Sequence, residues 1–189
     1  MSDHIRTFVA IDLKEEIHDL IKQIQDDFKN LPCDIKWVNP ADAHLTLKFL
    51  GNVRLDQIEL ITMCLHKIIK DVGSISSCVT RLGTFPSIDR PRILWIGFKD
   101  SQNKIKELVK LLESEFISLG FQKEVQSFQP HVTIGRVRSS RQLRRLSQKI
   151  EEYPPLPEIN QRINQVILYK STLTPQGPIY EPISQIAVI

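Results

Sequence analysis

The chain has 189 residues, 41 % hydrophobic and 25 % charged, with a formal net charge of +3. It is long enough to bury a core without disulfide staples, as one large domain or two small fused lobes, and too weakly charged to mark a nucleic-acid binder on that ground alone. No apolar run approaches the roughly 18 residues of a spanning helix, the start Met1-Ser2-Asp3-His4 is too polar for a signal peptide, and Cys33, Cys64 and Cys78 lack metal-like spacing, so a cytosolic protein with reduced thiols in or near the core is expected.

The pattern Ile5–Leu13 predicts an interior strand with a fully apolar centre. Lys14–Leu31 then reads as a helix, with Ile17, Leu20, Ile21, Ile24, Phe28 and Leu31 in one stripe and Pro32 as its stop. A connector over Cys33–Ala43 carries Trp37 and the turn-favouring Asn39-Pro40-Ala41-Asp42. Next come the strand His44–Leu50, closed by Gly51-Asn52, and a helix over Arg54–Lys70 that ends before Gly73. Strands are expected at Ile75–Phe85 and Ile93–Phe98, around turn chemistry in Pro86–Pro91. A third helix over Gln102–Leu119, stopped by Gly120, leads to the strand His131–Val137. Ser139-Ser140 can cap a short basic helix bearing Leu143, Leu146 and Ile150, which Pro154, Pro155 and Pro157 end. Arg162–Ser171 and Ile179–Ile189 close the chain as strands. This alternation predicts an α+β fold, a single bilobal domain over 1–189, with antiparallel or mixed sheets lining a groove and helices outside.

Two of these strands share a motif. His44-Leu45-Thr46-Leu47 returns 87 residues later as His131-Val132-Thr133-Ile134. Side chains alternate along a strand, so each His and Thr share one face and the aliphatic residues take the other. Two such strands side by side present two imidazoles and two hydroxyls to one cleft. Imidazole acts as acid or base near neutral pH, so a histidine on each side of a phosphorus suits phosphodiester cleavage, with Thr46 and Thr133 as donors to the non-bridging oxygens. No metal or other cofactor is required, and two histidines without clustered acids or cysteines make a poor metal site. By spacing alone, the same residues also fit two strand-end histidines with satisfied hydrogen bonds and no chemistry. His18 and His66 lie in helices and read as surface or boundary residues.

From Arg136 to Lys149 there are six basic residues and no acid, whereas residues 150–189 hold two basic and four acidic ones. This stripe is either an attraction for phosphate or a solvated helix face.

The paired motifs, the opening Arg6-Thr7-Phe8-Val9-Ala10-Ile11, the run Trp37-Val38-Asn39-Pro40 and the tail Leu168–Tyr180 resemble the two-histidine phosphoesterases. More narrowly, they resemble the RNA 2′,3′-cyclic phosphodiesterases historically called 2′–5′ RNA ligases. Gly135, where alanine or another small residue is frequent, and Asn39, where proline is common, are mild departures. The resemblance implies a bilobal fold with approximate twofold symmetry, in which His44 and Thr46 face His131 and Thr133. It implies hydrolysis of a terminal RNA 2′,3′-cyclic phosphate to a 2′-phosphate, with reversible ATP-independent 2′–5′ joining in some members. Phe8 matches a family position on the N-terminal strand at the groove, and Arg136 a basic position beyond the second motif. Trp37, like Phe8, is a candidate to stack on a terminal base, and Arg141 is a candidate phosphate contact. A monomer acting on RNA ends, with no membrane partner, is the resulting expectation. A sister activity on another cyclic or 2′–5′ linked nucleotide, or a non-catalytic RNA-end binding module, are the alternatives.

Overall fold

The computed structural model describes residues 3–188. Met1 and Ser2 of the polar start and Ile189 of the last expected strand lie outside the described residues. Among those described, nine strands and four α-helices alternate. The strands are β1 His4–Asp12, β2 Ile35–Trp37, β3 His44–Arg54, β4 Ile75–Phe85, β5 Ile93–Lys99, β6 His131–Val137, β7 Asn160–Ile163, β8 Gln165–Leu173 and β9 Pro178–Ala187. The helices are α1 Glu15–Phe28, α2 Ile58–Ile69, α3 Lys104–Ser118 and α4 Leu143–Glu151.

All strands join one antiparallel sheet in the order β7-β4-β5-β6-β3-β1-β8-β9, with β2 added to β6. Its centre is its weakest seam. β3 and β6 meet at the pair Leu45↔Val132, and farther along β6 its partner becomes β2, from Trp37↔Gly135 to Ile35↔Val137. The sheet thus has two halves that part on either side of one cross-strand pair. Leu45 and Val132 are 1 % and 0 % exposed, which fixes the register, because a slip by one residue would expose both and bury the motif residues.

In α1 the stripe Ile17, Leu20, Ile21, Ile24 and Phe28 is buried, but the helix ends at Phe28, so Leu31 lies beyond it and is half-buried. Two helices cross to the half opposite the strand that precedes them. α1 follows β1 but lies against β2 and β6, where Gln25 donates to the carbonyls of Val38 and Ile134 and Phe28 meets Trp37 edge-on. α3 follows β5 but lies against β3 and α2, joined to them by Lys48–Glu113 and Lys67–Glu115. This exchange ties the halves together below the seam.

Several local expectations are corrected. β3 does not stop at Gly51 but runs on to Arg54, because Gly51 takes φ +74, a bend open to glycine without strain. The connector after Cys33 contains β2 and a 3₁₀ turn over Pro40–Asp42. The expected strand Arg162–Ser171 is two strands that break at Asn164, since β7 pairs with β4 and β8 with β1. Ser139 accepts from the Arg141 N–H, but α4 starts two residues after Arg141, at Leu143 behind Gln142, whose φ is +61.

Candidate active site

The groove face of the sheet is set by two cross-strand rows. β1 places Asp12 opposite His44 and Ala10 opposite Thr46, while β5 places Trp95 opposite Thr133 and Gly97 opposite His131. Extending the register from Leu45↔Val132 sets His44 beside Thr133 and Thr46 beside His131. The rows are therefore Asp12–His44–Thr133–Trp95 and Ala10–Thr46–His131–Gly97. On that extended register the histidines stand diagonally across the one pair that joins the strands, a position that in a regular antiparallel pair corresponds to about 7–8 Å. That span accommodates one phosphorus with a nitrogen on each side.

Each imidazole is held in the same way. His44 Nδ1 lies 2.9 Å from the Asp42 carbonyl and His131 Nδ1 lies 2.7 Å from the Gln129 carbonyl, in both cases two residues upstream. A carbonyl only accepts, so both Nδ1 atoms carry hydrogen and Nε2 is the nitrogen left for chemistry. The turn that supplies the Asp42 carbonyl is pinned from α1, where the His18 ring nitrogens face the carbonyls of Pro40 and Leu13 at 2.5 and 3.1 Å. Thr46 and Thr133 are half-buried, and neither hydroxyl has a hydrogen-bond partner among the described residues.

The surroundings differ. Phe8 stacks on His44 at 4.7 Å, Tyr180 meets it edge-on at 5.0 Å and Tyr169 lies at 6.2 Å. The Tyr169 hydroxyl donates to Asp12 at 2.5 Å, and burial together with that carboxylate pushes its pKa up. His131 instead has Phe85 edge-on at 4.9 Å and Trp95 at 6.2 Å. Burial lowers the pKa of both histidines. For His44 the Asp42 carbonyl and the charges of Asp12 and Asp42 oppose that shift; for His131 the Gln129 carbonyl opposes it and the Arg136 guanidinium reinforces it. Burial thus favours the neutral form of both rings, and only His44 has carboxylates that favour its protonated form. Tyr180 is raised mainly by burial, against the positive charges of Arg136 and Arg6. The Arg136 charge thus bears on a group in each half, His131 and Tyr180.

Among the residues singled out from sequence, His44, Thr46, His131, Thr133, Phe8 and Arg136 come together. Phe8 is 2 % exposed and braces His44, so it has no open face for a base. Trp37 and Arg141 are not brought to the histidines. After the β6 bulge Gly135 faces the helices, and Trp37 fills the space there, within 2.8 Å of where a Cβ on Gly135 would stand. Arg141 precedes α4, which packs on α1 through Lys149 over the Phe28 ring and on Ile88 through Ser147. Sequence reasoning missed Asp12, Phe85, Trp95, Tyr169 and Tyr180. Period-two alternation from Phe8 through Ala10 reaches Asp12, and both tyrosines stand in the tail Leu168–Tyr180. Among the described residues, no three His, Cys, Asp or Glu side chains are grouped to hold a metal ion.

The LigT-like phosphoesterase model matches the chain twice, over residues 11–95 and 96–180. The boundary falls after Trp95, so the two matches reproduce the internal duplication that the seam displays. The chain is 36 % identical over 182 residues to the RNA 2′,3′-cyclic phosphodiesterase of Methanocaldococcus jannaschii, covering 96 % of this chain and 99 % of that one. It is 32 % identical over 176 residues to the enzyme of that name from Methanothermobacter thermautotrophicus, covering 93 % and 95 %. In fold it matches TT0787 of Thermus thermophilus, with TM-score 0.83, 21 % identity and coverage of 97 % and 98 %. It matches E. coli LigT complexed with 3′-AMP with TM-score 0.80, 22 % identity and coverage of 98 % of each chain. With its duplicated histidine strands and these similarities over nearly its whole length, the chain belongs to the LigT-like RNA 2′,3′-cyclic phosphodiesterase family of two-histidine phosphoesterases.

Proposed function

We propose that the groove hydrolyses a terminal RNA 2′,3′-cyclic phosphate to a 2′-phosphate without a metal, His44 acting as general acid and His131 as general base. The observation that carries this reading is the diagonal pair of imidazoles, each with Nδ1 tied to a carbonyl and Nε2 free. His131 Nε2 takes a proton from the attacking water; its neutral form is favoured by burial and by Arg136. His44 Nε2 gives a proton to O3′ as the P–O3′ bond breaks, and Asp12 and Asp42 support the imidazolium it needs. Thr46, Thr133 and the Arg136 guanidinium donate to the non-bridging oxygens, where negative charge gathers. When a 5′-hydroxyl of another RNA attacks in place of water, the same transfers give a 2′–5′ phosphodiester, and the reverse splits it. ATP is not consumed.

The relatives named above are RNA 2′,3′-cyclic phosphodiesterases, and E. coli LigT was solved with 3′-AMP, ATP and NADP+; these support a nucleotide phosphate as the ligand. A cytosolic monomer, one domain over 1–189, belongs to the same proposal, since one chain carries both histidines and its three cysteines are free thiols. The test is incubation of oligonucleotides ending in a 2′,3′-cyclic phosphate with excess chelator, followed by phosphorus NMR. Conversion to the 2′-phosphate is expected. Formation of the 3′-phosphate, or loss of turnover on chelation, overturns the reading.

A further inference from the structure

Each motif strand carries a bulge just after its threonine. In β3 the register with β1 slips between Ala10↔Thr46 and Val9↔Lys48, and in β6 the register with β5 slips between Trp95↔Thr133 and Leu94↔Gly135. A bulge reverses the alternation beyond it. The residue five after each histidine is thereby turned onto the groove face: Arg136 on β6, and its counterpart Phe49 on β3. One half of the groove thus carries a cation where the other carries an aromatic ring.

Phe49 packs against Phe8 at 6.0 Å, next to the ring that stacks on His44, yet it is 54 % exposed. Beside it a cavity of about 870 Å³ opens between the end of β3 and residues 119–126, with Asn52, Gln122, Lys123, Glu124 and Gln126 in its wall. That wall is anchored from below. Lys48, 3 % exposed, pairs with Glu113 at 2.6 Å and donates to the Gln122 carbonyl at 2.8 Å, and Glu113 accepts from the Glu124 N–H at 3.2 Å. A buried ion pair is expensive unless further hydrogen bonds support it; here the loop backbone supplies one to each partner, while Glu113 Oε1 has only its contact with Lys48. A flat apolar ring, side-chain amides and an exposed ammonium match the surfaces of a nucleotide: base face, base edge and phosphate.

We infer that this cavity is a second nucleotide subsite, in which the base on the 5′ side of the cyclic-phosphate nucleotide stacks on Phe49 and the linking phosphate meets Lys123. The inference rests on the reading that the histidines take an RNA cyclic phosphate. A rival cavity of about 600 Å³ lies beside Arg81, Gly83 and Trp95. Among the described residues the Trp95 indole N–H has no partner, but the ring is 3 % exposed and Arg81 lies over it at 5.8 Å, so it presents no open face to a base.

The experiment compares kcat/KM for a trinucleotide ending in a 2′,3′-cyclic phosphate with that for a cyclic mononucleotide, and includes a trinucleotide abasic at the penultimate position. In Phe49→Leu the trinucleotide-to-mononucleotide ratio is expected to fall about tenfold, the scale of one base–aromatic stack. Phe49→Trp should restore it, and the abasic substrate should lose the same factor with the unaltered enzyme but little more with Phe49→Leu. Lys123→Glu should lower the ratio and weaken its salt dependence. A ratio unmoved by Phe49→Leu, or one that falls in Arg81→Ala instead, overturns the subsite while leaving the catalytic reading intact. Failure of the unaltered enzyme to turn over either substrate overturns both.

Discussion

The two halves of the groove use one backbone solution with two sets of neighbours. Both histidines open a strand, donate from Nδ1 to the carbonyl two residues back, and precede a bulge that reorients the strand beyond the threonine. Yet the residue opposite His44 is Asp12, and the residue opposite His131 is Gly97. A Cβ added to Gly97 would come within 2.8 Å of the Thr80 hydroxyl and 3.0 Å of the Trp95 ring, so no carboxylate fits there without rearrangement. On the cationic side, Arg136 stands where the other half has Phe49. The duplicated backbone therefore places two equivalent imidazoles, and the residues across from them make the pair unequal. In the proposed mechanism this inequality is what separates acid from base within one repeated motif.

The strongest way to break the comparison is to remove each histidine in turn. His44→Ala and His131→Ala are each expected to lose about 10²–10⁴ in kcat, because proton transfer contributes in the transition state and little in ground-state binding. A substrate analogue whose 3′ leaving group has a much lower pKa no longer needs an acid. It should rescue His44→Ala and leave His131→Ala slow; the opposite pattern reverses the assignment, and full activity in either variant removes the two-histidine mechanism.

The threonines test whether the two halves hold the phosphate equally. Each hydroxyl is expected to donate to a charged oxygen, so Thr46→Ala and Thr133→Ala should each weaken kcat/KM by about 1.5–3 kcal/mol. Serine at either site should recover most of that. Unchanged kinetics in both alanine variants would show that the hydroxyls do not touch the reacting phosphate.

Smaller effects sharpen the electrostatic difference. Asp12→Asn keeps an oxygen acceptor for Tyr169 but removes the charge that opposes the downward shift of His44, so the His44 midpoint should fall further. Arg136→Gln removes a charge that helps depress His131, so that midpoint should rise. Histidine NMR titration of the two variants should give shifts of opposite sign; shifts of the same sign would mean that the Asp12–Gly97 asymmetry does not govern the pair.

The same depressed values carry a stability consequence. The unfolded chain binds protons at these histidines near pH 6.5, above the folded values, so stability should decline as pH falls from about 6.5 toward those values and level off below them. Denaturant unfolding of His131→Gln should show a shallower decline over that window. An equal slope would mean that His131 does not contribute to the pH dependence.

Much of this protein was decided by local pattern. Period-two alternation put His44, Thr46, His131 and Thr133 on one face of their strands, because burial of Leu45 and Val132 leaves no other register. The helical stripes were legible because five apolar residues of α1 recur at helical spacing, and glycines or prolines stop the runs. The repeat of His-x-Thr suggested the chemistry proposed for the groove. What the tertiary structure alone decided is who stands across from whom. Asp12 reaches His44 through pairing 32 residues apart, Tyr169 reaches Asp12 across 157 positions, and Trp37 turns to the helix side because β2 pairs with the far end of β6. Bulges also escape a period-two reading: one extra residue in β3 and in β6 moved Phe49 and Arg136 onto the groove face, against the alternation that placed the histidines. Sequence spacing carries the periodicity of a strand. The partner strands and their slips in register are long-range pairings, and these set the charge around each imidazole.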